Sequence, residues 1–484
     1  MRNAWTVSAI RRAEDDAMAA LAPHQGELMQ RAAEALAAEI RGLLARRYGA
    51  RVLLLCGPGN NAGDGLYAGV RLLCKGITVS ALRVFGRTHD QAWAAFTAAG
   101  GREVDLPGAL ELINRADLVV DAILGIGGRS GLSGDLETLA RACAAPDAAP
   151  LLAVDLPSGL DADAAVPAVE SFRADHSITF GTARFCHLLA TDRCGEVTVA
   201  DIGLDPWLDR LDPTTDRLAA WQLDDLAGAW PVPGADSDKY ARGVLGIDAG
   251  SQQYPGAGRL ATAGAVHSGA GMVRFAGPEA PTSLATQDFP NILGAADADD
   301  PGRVQAWLIG SGWGQREDGT ERLVLRAATG TPVVIDADGL RYLAAWRATG
   351  ADNPALITPH AGELARLLGV ARADVEADPI GSARKAAARF EVTVLLKGST
   401  QYVVGPRGSA AIALRGPAWT AQAGSGDVLA GICGTLLAAG LDPATAGLAA
   451  ASAQALAARR SPGPLPPQDL AATLPATLGA LLGG

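Results

Sequence analysis

Small residues lead up to a single carboxylate at Gly424-Ser425-Gly426-Asp427, and an apolar, helix-compatible run to Leu441 follows. A Gly-Ser-Gly turn leaves backbone N–H groups free, and the positive end of a helix opening behind it adds to their pull on an anion. One reading is a phosphate-cradling turn with Asp427 as a catalytic base at its edge. The other is a Gly-rich strand-to-helix turn with the Asp near its N-cap. The same half of the chain carries Asp336, His360, Glu363 and Lys397, each just after a short apolar run. Lys397 can neutralise a phosphate or extend to solvent, and Gly398 behind it permits close backbone approach. His360 follows Pro359 in a turn, which suits a ligand contact. Glu363 suits either a water-mediated Mg²⁺ contact or a capping box.

The first half offers a different donor set. Gly57-Pro58-Gly59-Asn60-Asn61-Ala62-Gly63-Asp64-Gly65 follows an apolar run, but its glycines match neither the dinucleotide fingerprint nor a P-loop. Two Asn and one Asp supply oxygens suited to ribose hydroxyls or a hard cation. Asp121 ends another apolar run, before the Gly-rich loop Gly125-Ile126-Gly127-Gly128-Arg129-Ser130-Gly131. Asp155 ends a third, before Pro157-Ser158-Gly159. Any one could cap a helix; three at successive strand ends make a polar crevice.

Positioning these groups requires parallel strands. Arg51–Cys56, Ile77–Val84, Asp117–Gly125, Leu151–Asp155, Ser177–Phe180 and Glu196–Ile202 read as the strands of a doubly wound sheet, after helices near Ser8–Leu21 and Leu28–Leu44, with Ser8 a possible cap. Residues 205–240 lose periodicity among prolines and three tryptophans and read as a partly packed linker. Beyond it, Val244–Ile247, Met272–Phe275, Trp307–Ile309, Val333–Ile335, Leu356–Thr358 and Val392–Leu396 predict a second parallel α/β sheet. The chain divides into domains at 1–218 and 219–484.

The bulk numbers exclude several classes. A net charge of -11 argues against a nucleic-acid partner. No apolar run reaches the roughly 18 residues that cross a bilayer, and charges in the first 21 residues break a signal-peptide core. Six cysteines without a Cys-x-x-Cys pair fit reduced thiols in a cytoplasmic protein. His24, His89, His176, His187 and His267 lack ligand spacing and read as structural.

The second half resembles the ADP/ATP-dependent NAD(P)H-hydrate dehydratases of the ribokinase-like superfamily. The resemblance lies in Tyr254-Pro255-Gly256-Ala257, Asp336-Ala337-Asp338, Thr358-Pro359-His360 with Gly362-Glu363, Lys397-Gly398 and Gly424–Gly431. The first half is similar to NAD(P)H-hydrate epimerase domains through Leu28-Met29-Gln30-Arg31-Ala32, Gly57–Gly65, Asp121–Gly125 and Asp155–Gly159. Together they resemble the bifunctional NAD(P)H-hydrate repair enzymes over nearly the whole chain.

The resemblance implies a Rossmann-like, three-layer α/β/α domain followed by a ribokinase-like α/β domain. The first would epimerise R and S hydrates, with Asn60, Asn61, Ala62, Gly63, Asp64, Gly125–Gly131 (Ile126, Gly127, Gly128, Arg129 and Ser130 between them) and Asp155 on the substrate. Asn61, Asp121 and Ser158 would bind K⁺, and Asp155 would be the acid/base. The second would dehydrate the S form while ADP, with Mg²⁺, becomes AMP and phosphate. Ala257, Gly312, His360 and Asp427 would touch the hydrate, and Lys397, Gly398, Ser399, Thr400, Gln401 and Gly426 the nucleotide. A cytoplasmic homo-oligomer acting on small molecules is expected, with no nucleic-acid or membrane partner. Departures from the pattern are Ala62 for Gly, no second glycine in Lys397–Gln401, Gly416–Thr420 in place of an Asn-containing run, and no His before Lys239. Two rivals stand beside this reading: a vitamin-precursor kinase with a regulatory first domain, and a nucleotide sensor that binds without turnover.

Overall fold

The structure, a computed structural model, describes residues 1–21, 26–45, 48–128, 130–163, 170–294, 302–327, 330–461 and 463–483. Two compact units emerge, residues 3–217 and residues 1–2 with 218–484.

The first unit is built on seven parallel strands: β1 (Arg51–Cys56), β2 (Thr78–Arg83), β3 (Arg102–Val104), β4 (Leu118–Ala122), β5 (Leu151–Val154), β6 (His176–Phe180) and β7 (Glu196–Ala200). Their spatial order is β3-β2-β1-β4-β5-β6-β7. The order reverses between β1 and β4, and an open α/β sheet forms its ligand crevice at such a reversal. Alternate residues of β1 enter different cores. Val52, Leu54 and Cys56 pack with the helices Val7–Ala20, Glu27–Leu43 and Asn60–Leu73. Leu53 and Leu55 pack with Leu106–Ile113 and Asp135–Cys143 on the other face. Each buried leucine contributes about 1.5–3 kcal/mol, so the unbroken apolar run is what a sheet covered on both faces demands. The three-layer α/β/α arrangement follows. The first helix is capped by Thr6, whose hydroxyl accepts from the Ala9 N–H, and not by Ser8.

The second unit adds β8 (Arg217–Ala220), β9 (Val244–Asp248), β10 (Met272–Phe275), β11 (Leu293–Gly294), β12 (Ala306–Ile309), β13 (Val333–Ile335), β14 (Ala355–Ile357), β15 (Thr393–Leu396), β16 (Tyr402–Val404) and β17 (Ala410–Ile412). They lie in the order β11-β10-β9-β12-β13-β14-β15-β16-β17-β8. All neighbours are parallel except β15–β16 and β16–β17. The helix Ser425–Ala438, which carries Asp427, crosses Pro255–His267 through paired glycines. A Cβ on Gly264 would overlap the Val428 carbonyl, and one on Gly431 the Ala261 carbonyl. Their absence lets the two backbones touch, which fixes the depth of the Asp427 turn.

Two expectations change. The stretch expected as a linker contains β8 and the helix Leu223–Ala229, and Trp221 and Trp230 belong to the second unit's core. The second sheet, expected to be parallel, turns antiparallel after Lys397–Gln401, where β15 pairs with β16 and β16 with β17, strands of three residues that are too short to show a period of two. No helix is long and apolar enough to cross a membrane, among the described residues.

Candidate active sites

In the first unit the crevice forms where β1, β4 and β5 end. Gly57 sits directly against the Ile123 backbone, where a Cβ would collide, and its N–H reaches the Ala122 carbonyl at 3.1 Å. The chain then turns into the helix Asn60–Leu73. Asn61 Nδ2 donates to the Val154 carbonyl at 3.1 Å, tying the helix's first turn to the end of β5. Asp64 lies one turn on and is buried. Burial pushes its carboxyl well above the usual range, with Asp155 and Glu14 adding repulsion.

Asp121 is fully buried. It accepts from Ser158 N–H at 2.8 Å, Ser158 Oγ at 2.7 Å and Ile123 N–H at 3.2 Å. Burial lifts it to about 6 against these three bonds. Ser158 Oγ in turn accepts the Leu124 N–H at 2.9 Å, so one hydroxyl joins β4 to the turn after β5.

Asp155 adopts a left-handed backbone, with φ 67°, a strained conformation for a non-glycine residue that must be held by its neighbours. Its Oδ1 meets Arg184 Nη2 at 3.0 Å and Thr179 Oγ1 at 3.1 Å, and its Oδ2 accepts the Ile126 N–H at 3.0 Å. His187 Nε2 lies 2.8 Å from the Asp155 carbonyl oxygen, while His187 Nδ1 accepts the Arg184 N–H. Gly125 leaves room here, since a Cβ would come within 2.9 Å of Asp155 Oδ2. Cys186, His187 and Cys194 bring three ligand-type atoms within 4.8 Å. Both ring nitrogens of His187 are already engaged, so these residues do not form a ready metal site.

The crevice thus gathers Asn61, Asp64, Asp121, Gly125, Ile126, Asp155 and Ser158. Ala62 is otherwise placed: its methyl is fully buried in the hydrophobic core, so the departure from glycine adds nothing to the crevice. Gly128 N–H closes a turn onto the Gly125 carbonyl and Gly131 N–H binds the Gly159 carbonyl, which shapes the loop. Asn60, Gly63, Gly127 and Ser130 lie along the same segments; Gly63 faces Met29 and His89. Arg129 and His24 lie outside the described residues. Arg184 and Thr179 escaped the sequence reading, and no motif marks them. Their signal is positional, at and after the end of the strand next to β5.

In the second unit four neighbouring strand ends converge on Asp336, which is 2% exposed. Ser311 Oγ donates to its Oδ2 at 2.9 Å, while Thr358 Oγ1 at 2.6 Å and Lys397 Nζ at 2.8 Å meet its Oδ1. Burial alone would lower the Lys397 ammonium; Asp336, Glu363 and Asp427 together outweigh it and leave it raised. Gly426 adjoins this ammonium, because a Cβ there would sit 3.2 Å from Lys397 Nζ. Gly424, left-handed at φ 91°, opens the Asp427 helix with no side-chain cap, so its first turn keeps an unfilled anion-binding end. Gly398, Ser399, Thr400 and Gln401 continue from Lys397 to β16.

Asp427 is partly buried on the helix's first turn. Burial raises its carboxyl to about 7, with Asp336 and Glu363 adding repulsion, and Lys397 and a hydrogen bond from Ser311 opposing. It lines a cavity of about 590 Å³ with Tyr254, Ala257, Gly312, Gln315, Asp338 and Arg341 among its neighbours. Gly312 is left-handed at φ 66° and packs against Ala257, joining two expected substrate contacts in one wall. His360 is not among the cavity-lining residues. Its Nδ1 accepts the N–H groups of Gly362 and Glu363, and Glu363 Oε2 accepts the His360 N–H at 2.8 Å. Glu363 forms the capping box, and its Oε1 also lies 3.5 Å from His360 Nε2.

Asp248 was also unmarked in sequence. Fully buried, it meets Arg322 Nη2 at 2.7 Å, Arg326 Nε at 3.2 Å and Trp313 Nε1 at 3.1 Å. This cluster braces the turn that carries Gly312.

Two parallel α/β units, each with carboxylates at its strand ends, and one with a lysine beside an open helix end, define a nucleotide-handling enzyme with two sites. The family models agree with that division: NAD(P)H-hydrate dehydratase over residues 245–475 and YjeF-related protein N-terminus over residues 25–186. The bifunctional NAD(P)H-hydrate repair enzyme Nnr of Mycobacterium leprae (strain TN) is 42% identical over 456 residues, 92% of this chain and 91% of its own. That of Escherichia coli (strain K12) is 34% identical, covering 97% and 93%. The ADP/ATP-dependent NAD(P)H-hydrate dehydratase of Bacillus subtilis aligns to 54% of this chain and 98% of its own, at 25% identity and a TM-score of 0.49. The chain belongs to the bifunctional NAD(P)H-hydrate repair enzymes.

Proposed function

We propose that this chain returns hydrated NADH and NADPH to their active forms, the first unit epimerising R and S hydrates and the second dehydrating the S form at the expense of ADP. The relatives span both units, which favours repair over a kinase with a regulatory domain or a sensor. The observation that carries the second activity is Asp427, a carboxylate raised to about 7, set between a cavity of about 590 Å³ and the Lys397–Gly426 contact.

In that reading Asp427 takes the proton of the hydrate hydroxyl as its oxygen attacks the terminal phosphorus of ADP. The P–O bond to AMP breaks, and Lys397 and the open helix end stabilise the charge on the moving phosphoryl group. Phosphate is then a good leaving group: the ring nitrogen's electron pair expels it, and loss of the neighbouring proton restores the dihydronicotinamide double bond. Ala257, Gly312 and His360 position the hydrate, and Lys397–Gln401 with Gly426 hold the nucleotide. Mg²⁺ carried by the nucleotide would supply charge neutralisation on its phosphates.

In the first unit Asp155 is the acid/base that labilises the hydroxyl-bearing carbon, with Asn60, Asn61, Gly63, Asp64 and the loop that opens at Gly125 around the ring. Asn61, Asp121 and Ser158 would hold K⁺. The fit is chemical: all three offer oxygen, Asn61 spends its Nδ2 on Val154 and keeps Oδ1 free, and Asp121 is fully buried with hydrogen bonds but no ion pair among the described residues. A bound K⁺ would supply that missing positive charge and fix the crevice. The cytoplasm, where NADH and NADPH turn over, is the proposed compartment.

The test is incubation with ADP, Mg²⁺ and the S hydrate, following NADH absorbance and AMP together. Equimolar recovery of NADH and AMP supports the proposal. AMP without NADH, or neither product, refutes it. Starting from the pure R hydrate, the same recovery requires the first unit.

A further inference from the structure

The cavity beside Asp427, about 590 Å³, lies in the range that buries a whole drug-sized ligand, and a hydrated nicotinamide ring fills only part of it. Its charged lining is Asp338, Asp427 and Arg341. Among the described residues there, Arg341 is the one cation. An uncharged ring held near two carboxylates needs no guanidinium, whereas a phosphate brought near them does. The local fold holds that guanidinium in place. Ala337, after β13, is left-handed at φ 49°, a conformation that its Cβ disfavours. The kink gives the carboxylates on either side separate tasks. Asp336 meets Ser311, Thr358 and Lys397. Asp338 accepts the Gly314 N–H with Oδ2 at 2.8 Å and meets Arg341 Nη2 with Oδ1 at 3.3 Å. One oxygen is thus fixed to the turn that carries Gly312, and the other holds the arginine. The Arg341 side chain stays 53% exposed and makes no other ion pair among the described residues. A guanidinium presents five N–H donors in a rigid fork, so a forked edge remains open to an anion.

We propose that Arg341 binds the phosphate attached to the nicotinamide ribose of the hydrate, and that this contact makes the second unit select phosphorylated hydrates over the hydrated riboside. The proposal rests on the reading of this cavity as the hydrate site. Lys397 and the open end of the Asp427 helix serve the phosphates of ADP, so the two phosphate-bearing molecules are held by different cations. Asp338 aims the fork and, pinned by Gly314, keeps it against the turn where the hydrate ring sits. The arginine takes no part in proton or phosphoryl transfer. Its work is affinity for one class of substrate.

The experiment follows dihydronicotinamide absorbance with ADP and Mg²⁺ for four S hydrates: those of NADH, NADPH, the reduced mononucleotide and the reduced riboside. In the wild type the three phosphate-bearing hydrates exceed the riboside hydrate in kcat/KM. Arg341→Gln raises the KM of those three by about ten- to a hundredfold, the size of hydrogen bonds to a charged group. Neither kcat nor the KM for ADP follows, so the advantage over the riboside hydrate shrinks by the same factor. Arg341→Lys keeps the charge without the fork and recovers part of the loss. Thermal melts of both variants confirm that the half-exposed side chain is replaced without unfolding. An unchanged hydrate KM in Arg341→Gln, or an equal loss with the riboside hydrate, overturns the proposal. A rise in the KM for ADP alone overturns it too, by moving the arginine to the phosphoryl donor, as does a loss confined to the NADPH hydrate, which places it on the 2′-phosphate. No turnover of any hydrate by the wild type instead overturns the reading of the site itself.

Discussion

Asp427→Asn is the substitution with the most to reveal, because the structure assigns opposite signs to its effects on activity and stability. Asn has nearly the same shape, so the fold and the ADP site persist while the base is lost. Loss of a general base costs about 10²- to 10⁴-fold in rate. Stability moves the other way. The native carboxyl is raised from 3.8 to about 7, so between these values the folded state binds the proton more tightly than the unfolded chain does. By linkage, stability falls as pH rises through that window and levels off above about pH 7. At about 1.4 kcal/mol per unit the shift corresponds to at most about 4 kcal/mol, and screening by solvent on this partly exposed side chain reduces it to about 2 kcal/mol. Asparagine has no such term. Its advantage in Tm over the wild type therefore grows from pH 4 to pH 7 and stays constant at pH 8. The assay pairs thermal melts across that range with NADH recovery from the S hydrate. Unchanged turnover, or a Tm difference that ignores pH, refutes the reasoning.

Three further outcomes follow from the geometry. Asp155→Asn abolishes conversion of the R hydrate and leaves dehydration of the S hydrate intact; it also lowers the first unit's Tm, because Arg184 loses a charged partner in a site where it is 2% exposed. Added K⁺ raises the wild-type Tm more than Na⁺ does, and Asp121→Asn abolishes that difference, measured by thermal melts in matched chloride salts; equal shifts in wild type and variant count against the K⁺ site. Gly426→Ala places a methyl about 3.2 Å from Lys397 Nζ, so the KM for ADP rises about tenfold while Tm changes little; an unchanged KM removes Gly426 from the nucleotide site.

The central parallel strands were legible because most are buried apolar runs ended by glycine or a carboxylate, and burial on both sheet faces leaves that pattern little freedom. The edge strands Arg102–Val104 and Leu293–Gly294 are short and largely exposed and carry no such run. Arg51–Cys56 and Val333–Ile335 are bounded in the structure as their sequences predict. The partners of the acids were not legible, because they depend on which strands become neighbours. Ser311 and Thr358 meet Asp336 only through the adjacency of β12, β13 and β14. Arg184 meets Asp155 across 29 positions of sequence, after a turn that no periodicity announces. Asp248, Arg322 and Arg326 are each unremarkable alone, and only the fold makes them one buried cluster. β16 and β17 escaped for a simpler reason: three residues are too few to display alternation.

The two crevices also explain how similar carboxylates reach different chemistry. Asp155 is wrapped by donors: a buried guanidinium, a threonine hydroxyl and a backbone N–H all meet its oxygens. Such contacts fix the direction of both carboxylate oxygens. At Asp427 the nearby ammonium is already engaged by Asp336, so the base is left in partial burial with one hydroxyl and two repelling acids. Its proton affinity rises to neutrality, where taking a proton and returning it are both cheap. Asp336 produces this state by drawing Lys397 toward itself. Asp336→Asn should therefore release Lys397 toward Asp427 and lower the inflection of the dehydratase pH profile below 7, even as phosphate binding suffers from the displaced ammonium. A profile that stays at about 7 in Asp336→Asn shows that burial alone sets the base, and that the lysine is committed to the nucleotide.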